Sequence, residues 1–459
     1  LGTTPGWFLS AFCLLLYRVI IRQQRCIMNY HNYYVNQIEI DPKVLNYIHE
    51  VQEDVLPYFN KIAERAEYHQ ARILDVLARH RISQRHFIGT SGYGYGDEGR
   101  DALDLVFRDV FGGEDALVRP QWVSGTHVIS DSLFALLRPG STLLSISGEP
   151  YDTLHDVIGK KNDPLSGSLK DWNVNYRQID LTGEGNINIE TVKKELQDPT
   201  IKVVFIQRSK GYSTRKSLTS EEIGNTIDQI KRIRSDVYVL VDNCYGEFTE
   251  DMEPSNAGAD LVVGSLIKNP GGGLASTGAY AVGTRKAIEQ LSNRLTSPGI
   301  GRDVGAFPSG YVNFYQGLFM APHIVAEALK GALLVGRIFD KLGYDTYPHW
   351  TERRSDIIQS IAFRSSDELI SFCQAVQSAS PVEGHVVPYP WEMPGYDHPV
   401  IMAAGTFIQG ASIELSADAP VKEPYTAFLQ GGLTYAHVKL AMMKVITRMK
   451  KEGYIQLSG

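Results

Sequence analysis

An α/β fold with a mostly parallel sheet is predicted for residues 91–315, with a smaller α+β domain following at 343–459. Three observations carry this. Short apolar runs near 142–146, 202–206, 237–241 and 261–264 alternate with helical patterns, the sequence form of βαβ units. Polar residues stand directly after these runs, among them Tyr151, Asp242 and Ser265, where open α/β sheets gather ligands. An apolar-rich helical pattern over 316–342, with Leu318, Phe319, Ile324, Val325, Leu329 and Leu333, then links the two domains.

The composition bounds the function. The 459 residues suffice for two or three domains and a large core, and 43% hydrophobic with 21% charged residues is ordinary for a globular protein. The net charge of −7, without a basic block, gives no reason to expect a nucleic-acid partner. Four scattered cysteines, Cys13, Cys26, Cys244 and Cys373, match neither a disulfide framework nor a zinc site. They suit a reducing compartment, so a cytoplasmic protein with no resident metal is expected.

Residues 1–38 read as a leader or targeting segment outside the fold. The apolar run at 7–17 is shorter than the ~20 residues of a membrane span, so no membrane association is expected. No Lys or Arg precedes Arg18, unlike a secretory signal, and no acid precedes Glu39, which suits organelle targeting. A natural start at Met28 is the alternative. An N-terminal helical arm is predicted over 39–90. Asp41-Pro42 opens it as N-cap and first helical residue. Pro57 is expected to end or kink the helix, and a second helical segment carries Ile73, Leu74, Val76 and Leu77.

Candidate site residues then appear in order. Glycines at 89, 92, 94, 96 and 99 make an irregular loop with Tyr93, Tyr95 and Arg100, either a phosphate or substrate contact or a surface turn. Ser124, Gly125 and Thr126 fall at a helix N-terminus, where free amides and the helix dipole favour an anion; ordinary capping gives the same pattern. Tyr151 follows a strand and could cover a flat ring or pack as a loop tyrosine. Asp242 ends the apolar run at 237–241. Lys268 lies in a turn between two apolar runs, beside Gly271, Gly272 and Gly273. An apolar setting is expected to lower its pKa and make it nucleophilic; a plain loop lysine is the alternative.

Ser265-Leu-Ile-Lys268 also fits the Ser-x-x-Lys of penicillin-recognising enzymes, but the companion Ser-Asp-Asn and Lys-Thr-Gly motifs are missing. Pyridoxal 5'-phosphate needs the whole set: an anion site, an aromatic over the ring, an acid for the pyridine nitrogen and a lysine for the aldehyde.

The motifs Tyr93-Gly-Tyr-Gly-Asp-Glu-Gly-Arg100, Ser124-Gly-Thr-His127, Val241-Asp-Asn-Cys-Tyr-Gly-Glu-Phe248, Gly264-Ser-Leu-Ile-Lys-Asn-Pro-Gly-Gly-Gly273 and Glu414-Leu-Ser-Ala-Asp418 resemble those of the aluminium resistance proteins. These are a methionine γ-lyase-like branch of the fold-type I pyridoxal phosphate enzymes, and the resemblance runs from Asn36 to the C-terminus. It implies an aspartate aminotransferase-like fold, with Lys268 as Schiff-base lysine, Asp242 as pyridinium partner, and Ser124, Gly125, Thr126 and Ser265 as phosphate contacts. Tyr151 would stack on the ring. It also implies a homodimer or homotetramer, in which Tyr93 or Tyr95 with Arg100 would reach a neighbour's phosphate.

One departure stands out. Gln207-Arg-Ser-Lys-Gly-Tyr212 replaces the Asn-Pro pair that better-known relatives carry, so the arginine for the substrate carboxylate does not transfer; Arg208, Arg215 and Arg302 are the candidates. The activity implied is carbon–sulfur cleavage of a sulfur-containing amino acid, of the methionine γ-lyase or cystathionine lyase kind. An aminotransferase, or a non-catalytic protein of the same fold involved in aluminium tolerance, are the alternatives.

Overall fold

The computed structural model describes residues 30–160, 166–393 and 398–457. The expected leader lies outside the described residues as far as position 29. Its end does not: Tyr34, Val35 and Ile38 pack against the core of the C-terminal domain, so the fold begins ahead of residue 39.

The arm is one helix, α1 (Pro42–Arg79). Asp41 caps it, its Oδ1 accepting from the Lys43 amide at 2.8 Å. The helix does not end at Pro57, one of the two outcomes, an end or a kink, that the sequence predicted there. Its buried stripe of Val44, Leu45, Ile48, Val51 and Val55 joins the C-terminal core together with the long helix Val312–Lys341. That apolar contact outweighs the one backbone hydrogen bond that proline removes.

The large domain follows as α2 (Glu98–Phe111), β1 (Asp115–Arg119), α3 (Gly125–Leu136), β2 (Thr142–Ser145), α4 (Asp152–Ile158), β3 (Asn175–Gln178), α5 (Ile189–Glu195), β4 (Ile201–Gln207), α6 (Ser220–Ile233), β5 (Tyr238–Asp242), β6 (Leu261–Ser265), β7 (Ala279–Gly283) and α7 (Arg285–Leu295). Its seven strands form one sheet in the order β1-β7-β6-β5-β4-β2-β3. β7 runs antiparallel to both neighbours, and the remaining pairs are parallel. Except at the edge strand β3, whose Asn-Tyr-Arg-Gln is mostly exposed, the strands are buried on both faces because helices cover both, as parallel sheets require. The parallel strands β2, β4, β5 and β6 end along one edge of the sheet, at Ser145, Gln207, Asp242 and Ser265.

The linking helix α8 (Val312–Lys341) is long and apolar enough to cross a membrane by length and composition, but most of its side chains are buried in the core. Beyond it come β8 (Thr346–Tyr347), β9 (Ile358–Ala362), α9 (Ser366–Gln377), β10 (Val400–Ala403), β11 (Ser416–Pro420), β12 (Thr426–Gln430) and α10 (Tyr435–Lys451). This smaller domain is a five-stranded antiparallel sheet, ordered β10-β11-β12-β9-β8.

Candidate active site

The polar strand ends of the large sheet open into a cavity of ≈ 840 Å³. Ser124, Gly125, Thr126, Tyr151, Asp242, Ser265 and Lys268 all line it, although they come from four separate segments.

One wall is the start of α3. Ser124 is its N-cap, with Oγ accepting from the His127 amide at 3.1 Å. The amides of Gly125 and Thr126 precede the first intrahelical bonds and are available to an anion. A Cβ at Gly125 would stand 3.3 Å from Cys244 Sγ and 3.5 Å from Ser265 Cβ, so glycine keeps this approach open. Ser265, at the end of β6, is 1% exposed, and its Oγ has no hydrogen-bond partner. A buried hydroxyl without a partner costs free energy, and an anion seated between Ser265 and α3 would satisfy it.

Tyr151 forms the next wall. Its hydroxyl lies 2.9 Å from Thr126 Oγ1, and its amide donates to Gln207 Oε1 at 3.0 Å. Burial, reinforced by the Asp242 carboxylate, pushes its phenol well above the usual range, so it stays protonated. Asp242 is 5% exposed and accepts from the Cys244 amide at 3.1 Å. Burial raises its carboxyl, and the nearby Lys268 charge opposes that rise.

Lys268 enters from the turn after β6. Its Nζ sits 3.9 Å from the centroid of the Tyr245 ring. The neighbouring Asn269 anchors the turn, donating from Nδ2 to the Glu247 carbonyl at 3.0 Å. The expected lowering of the Lys268 pKa is overturned. Burial does disfavour the ammonium, but the Cys244 thiol, the Tyr245 phenol and the Asp242 carboxylate around it hold the pKa well above the lysine range. The flanking strands are apolar; the turn itself is not.

Behind the turn lies Glu247, fully buried, its Oε1 accepting from the Tyr280 hydroxyl at 3.0 Å and its Oε2 without a partner. Burial pushes its carboxyl up to about 8.

The arginines separate cleanly. Arg208 is fully buried, with Nη2 at 2.8 Å from Glu250, Nη1 at 3.4 Å from Glu253, and a 2.6 Å bond to Asn243. It does not line the cavity, and its fork is already occupied. Arg302 forms a two-pronged pair with Asp115 at 3.1 and 2.9 Å, also away from the cavity. Arg215 lines the cavity, held by the carbonyls of Gln207 at 2.9 Å, Ser209 at 2.6 Å and Lys216 at 2.9 Å.

The glycine loop lies elsewhere on this chain. Tyr93 and Tyr95 are exposed, with ring centroids 5.5 Å apart. Arg100 is buried, donating to the Gly94 carbonyl at 3.0 Å and to Asp101 at 2.9 Å. Its guanidinium therefore fastens its own loop in this chain.

Sequence reasoning did not single out Tyr245, Cys244, Gln207 or Lys210, all of which line the cavity. A usable signal was their position just beyond the ends of β4 and β5. The residues present fit pyridoxal phosphate: an orphaned hydroxyl and open amides for the phosphate, an aromatic wall, a buried acid and a lysine share one cavity.

Comparison with known proteins agrees. The sequence profile of the methionine gamma-lyase family matches residues 44–450. The chain is 51% identical over 406 residues to the uncharacterized protein YnbB of Bacillus subtilis (strain 168), covering 88% of this chain and 96% of that one. It is similar to the structure of a carbon-sulfur lyase involved in aluminum resistance from Clostridium novyi NT, at 48% identity and a TM-score of 0.87, over 91% of this chain and 98% of that one. The pyridoxal-5'-phosphate dependent protein YhfS from Escherichia coli, at 17% identity and a TM-score of 0.55 over 84% and 96% of the two chains, shares the fold alone. The architecture is fold type I of the pyridoxal phosphate-dependent enzymes. With most of its length matched by one profile and by relatives at about half identity, the chain belongs to the methionine gamma-lyase family.

Proposed function

We propose that the chain is a pyridoxal phosphate-dependent lyase that cleaves a carbon–sulfur bond in a sulfur-containing amino acid. The observation that supports this most is the convergence of Lys268, Asp242 and the unpartnered Ser265 hydroxyl on one cavity. Ser124, Gly125, Thr126 and Ser265 would hold the phosphate, Tyr151 would cover the ring, Asp242 would face its nitrogen, and Lys268 Nζ would hold the aldehyde carbon. When bound, the group supplies an electron sink for charge developing at the substrate α-carbon.

The chain's own residues do the rest. Arg215 orients the substrate α-carboxylate; the three carbonyls that hold its guanidinium fix its position without neutralising its charge. Lys268 Nζ, once displaced by the substrate amine, takes the α-proton. Tyr151, kept protonated by its burial, donates its hydroxyl proton to the departing sulfur. Products are a thiol, ammonia and a keto acid. We extend the proposal to a cytoplasmic homodimer or homotetramer, which the unpaired Cys244 and Cys373 and the exposed Tyr93 and Tyr95 support.

The test is keto acid and thiol release from cystathionine, methionine, cysteine and homocysteine by purified protein with the cofactor. A lyase works without added keto acid; an aminotransferase needs one; a non-catalytic tolerance protein turns over none. Lys268→Ala must abolish both turnover and borohydride-trapped cofactor. Trapping that survives this substitution would sink the assignment.

A further inference from the structure

The wall of the cavity after β4 carries more positive charge than one substrate carboxylate uses. Lys210 and Arg215 both line it, and Arg354 lies close behind, lining a second cavity of ≈ 430 Å³ with Asp356. Lys210 is 3% exposed, and its Nζ donates to the Tyr347 carbonyl at 2.5 Å. Arg215 sits on three carbonyls. Arg354 bonds the Ala332 carbonyl and Gln359, and its Nε and Nη1 have no partner at all. Among the described residues none of the three forms an ion pair.

The one buried carboxylate among them, Asp356, offsets at most one of the three charges. Asp356 spends its oxygens on the hydroxyls of Ser209 and Ser217 and on the Ile358 amide. One buried cation, Lys210, and two half-buried ones, Arg215 and Arg354, therefore face one buried acid, Asp356, with the exposed Glu352 the other negative charge acting on Lys210 and Arg354. Carbonyls satisfy donors but neutralise no charge, and uncompensated buried charge is costly. Burial is also the main reason that the Lys210 ammonium falls to about 8; Asp356 opposes the fall, while Arg354 and Arg215 add to it. Such a surplus is relieved when an anion arrives, and a desolvated site makes that contact strong and selective.

Arg215 is taken by the α-carboxylate. We propose that Lys210, backed by the charge of Arg354, is a specificity-determining residue that binds a second carboxylate, carried on the sulfur-linked arm that leaves. The substrates are then thioether amino acids with an acidic leaving arm. The arm's carboxylate is the recognised feature, and a second amino group on it is not required. This rests on the lyase reading above.

The experiment compares S-carboxymethyl-cysteine with S-ethyl-cysteine, arms of similar size that differ in charge, on the cofactor-loaded protein. The native protein should favour the acidic arm by at least roughly tenfold in kcat/KM. Lys210→Met should bring the two substrates to parity, mainly through KM, and Lys210→Arg should restore the preference. Parity in the native protein, or a preference that survives Lys210→Met, overturns the proposal. If neither substrate is cleaved, turnover of cystathionine, methionine, cysteine and homocysteine decides the lyase reading, and calorimetric titration with glutarate and butyrate tests the anion site on its own. Tighter glutarate binding that Lys210→Met removes supports the site; equal binding of the two acids overturns it.

Discussion

The Lys268 ammonium stands 3.9 Å from the centre of the Tyr245 ring, and Tyr245 holds that position with a φ of 73°. A tyrosine in left-handed backbone is strained, by ~1–3 kcal/mol for such conformations, so the surrounding turn must enforce it. The result is a lysine whose charge is stabilised by a ring face and a phenol as well as by Asp242. Tyr245→Phe keeps the ring and removes the hydroxyl. Lys268 should then lose its proton at lower pH. The check is the rate at which cofactor-free protein captures pyridoxal phosphate, read as bound-cofactor absorbance across pH. Capture needs the neutral amine, so the rising limb of the rate should move to lower pH. A profile identical to the native one would mean that the phenol has no hold on Lys268.

Ser265 should matter to the ligand and hardly at all to the fold. Its hydroxyl has no partner, so Ser265→Ala removes no hydrogen bond and should change unfolding free energy by no more than ~0.5 kcal/mol in cofactor-free protein. A hydrogen bond to a charged group contributes ~1.5–3 kcal/mol, so cofactor affinity should fall at least roughly tenfold. Gly125→Ala should weaken binding too, because its Cβ would enter the space before Cys244 and Ser265. Urea melts and equilibrium dialysis separate the two effects.

Arg208 and Arg215 should fail in opposite ways. Arg208→Ala leaves Glu253 buried without a cation and Glu250 with Arg353 alone, and should destabilise the fold by ~3–5 kcal/mol, visible as a lowered unfolding midpoint. Arg215→Ala loses three carbonyl contacts and no ion pair; its main effect should be a raised KM. If Arg208→Ala melted like the native protein, its pairing with the two glutamates would not be what keeps it buried.

These contrasts also mark what could be read from the sequence. The alternation of apolar runs and helices reports the sheet because each strand of a parallel sheet is buried on both faces, and that leaves a local signature. Ser124, Gly125, Thr126, Tyr151 and Asp242 were legible because strand ends and helix starts can be found from periodicity, Lys268 from its turn between two apolar runs, and Ser265 as a phosphate contact only through the family resemblance; all seven share one cavity. At Pro57 the helix does not end, because the local cost that is plain in sequence is offset by the packing of α1 against α8, which is not. The three arginines could not be ranked, since what distinguishes them is the acid that each meets in space: Glu250 for Arg208, Asp115 for Arg302, none for Arg215. The direction of the Lys268 shift was missed for the same reason, as Cys244 and Tyr245 reach it only through the fold.

Glu247 gives a pH-dependent test of the turn that carries Lys268. Its carboxyl is raised to about 8 from 4.5, mainly by burial, with the charge of Glu253 adding to the rise and the Tyr280 hydroxyl opposing it. Below pH 4.5 the group is neutral in folded and unfolded chains alike and makes no difference to stability. As pH rises from 4.5 toward 8 the unfolded chain releases this proton while the folded one keeps it, so the folded state loses ground steadily. Above the folded value both are ionised and the loss is complete, on the order of a few kcal/mol. Glu247→Gln keeps the acceptor for Tyr280 and cannot ionise. It should match the native protein in unfolding free energy near pH 4.5 and exceed it by a margin that grows up to about pH 8 and then levels off. Urea unfolding of both proteins at half-unit steps measures that margin. A constant difference across the range would mean that Glu247 ionises as freely in the folded protein as in the unfolded chain.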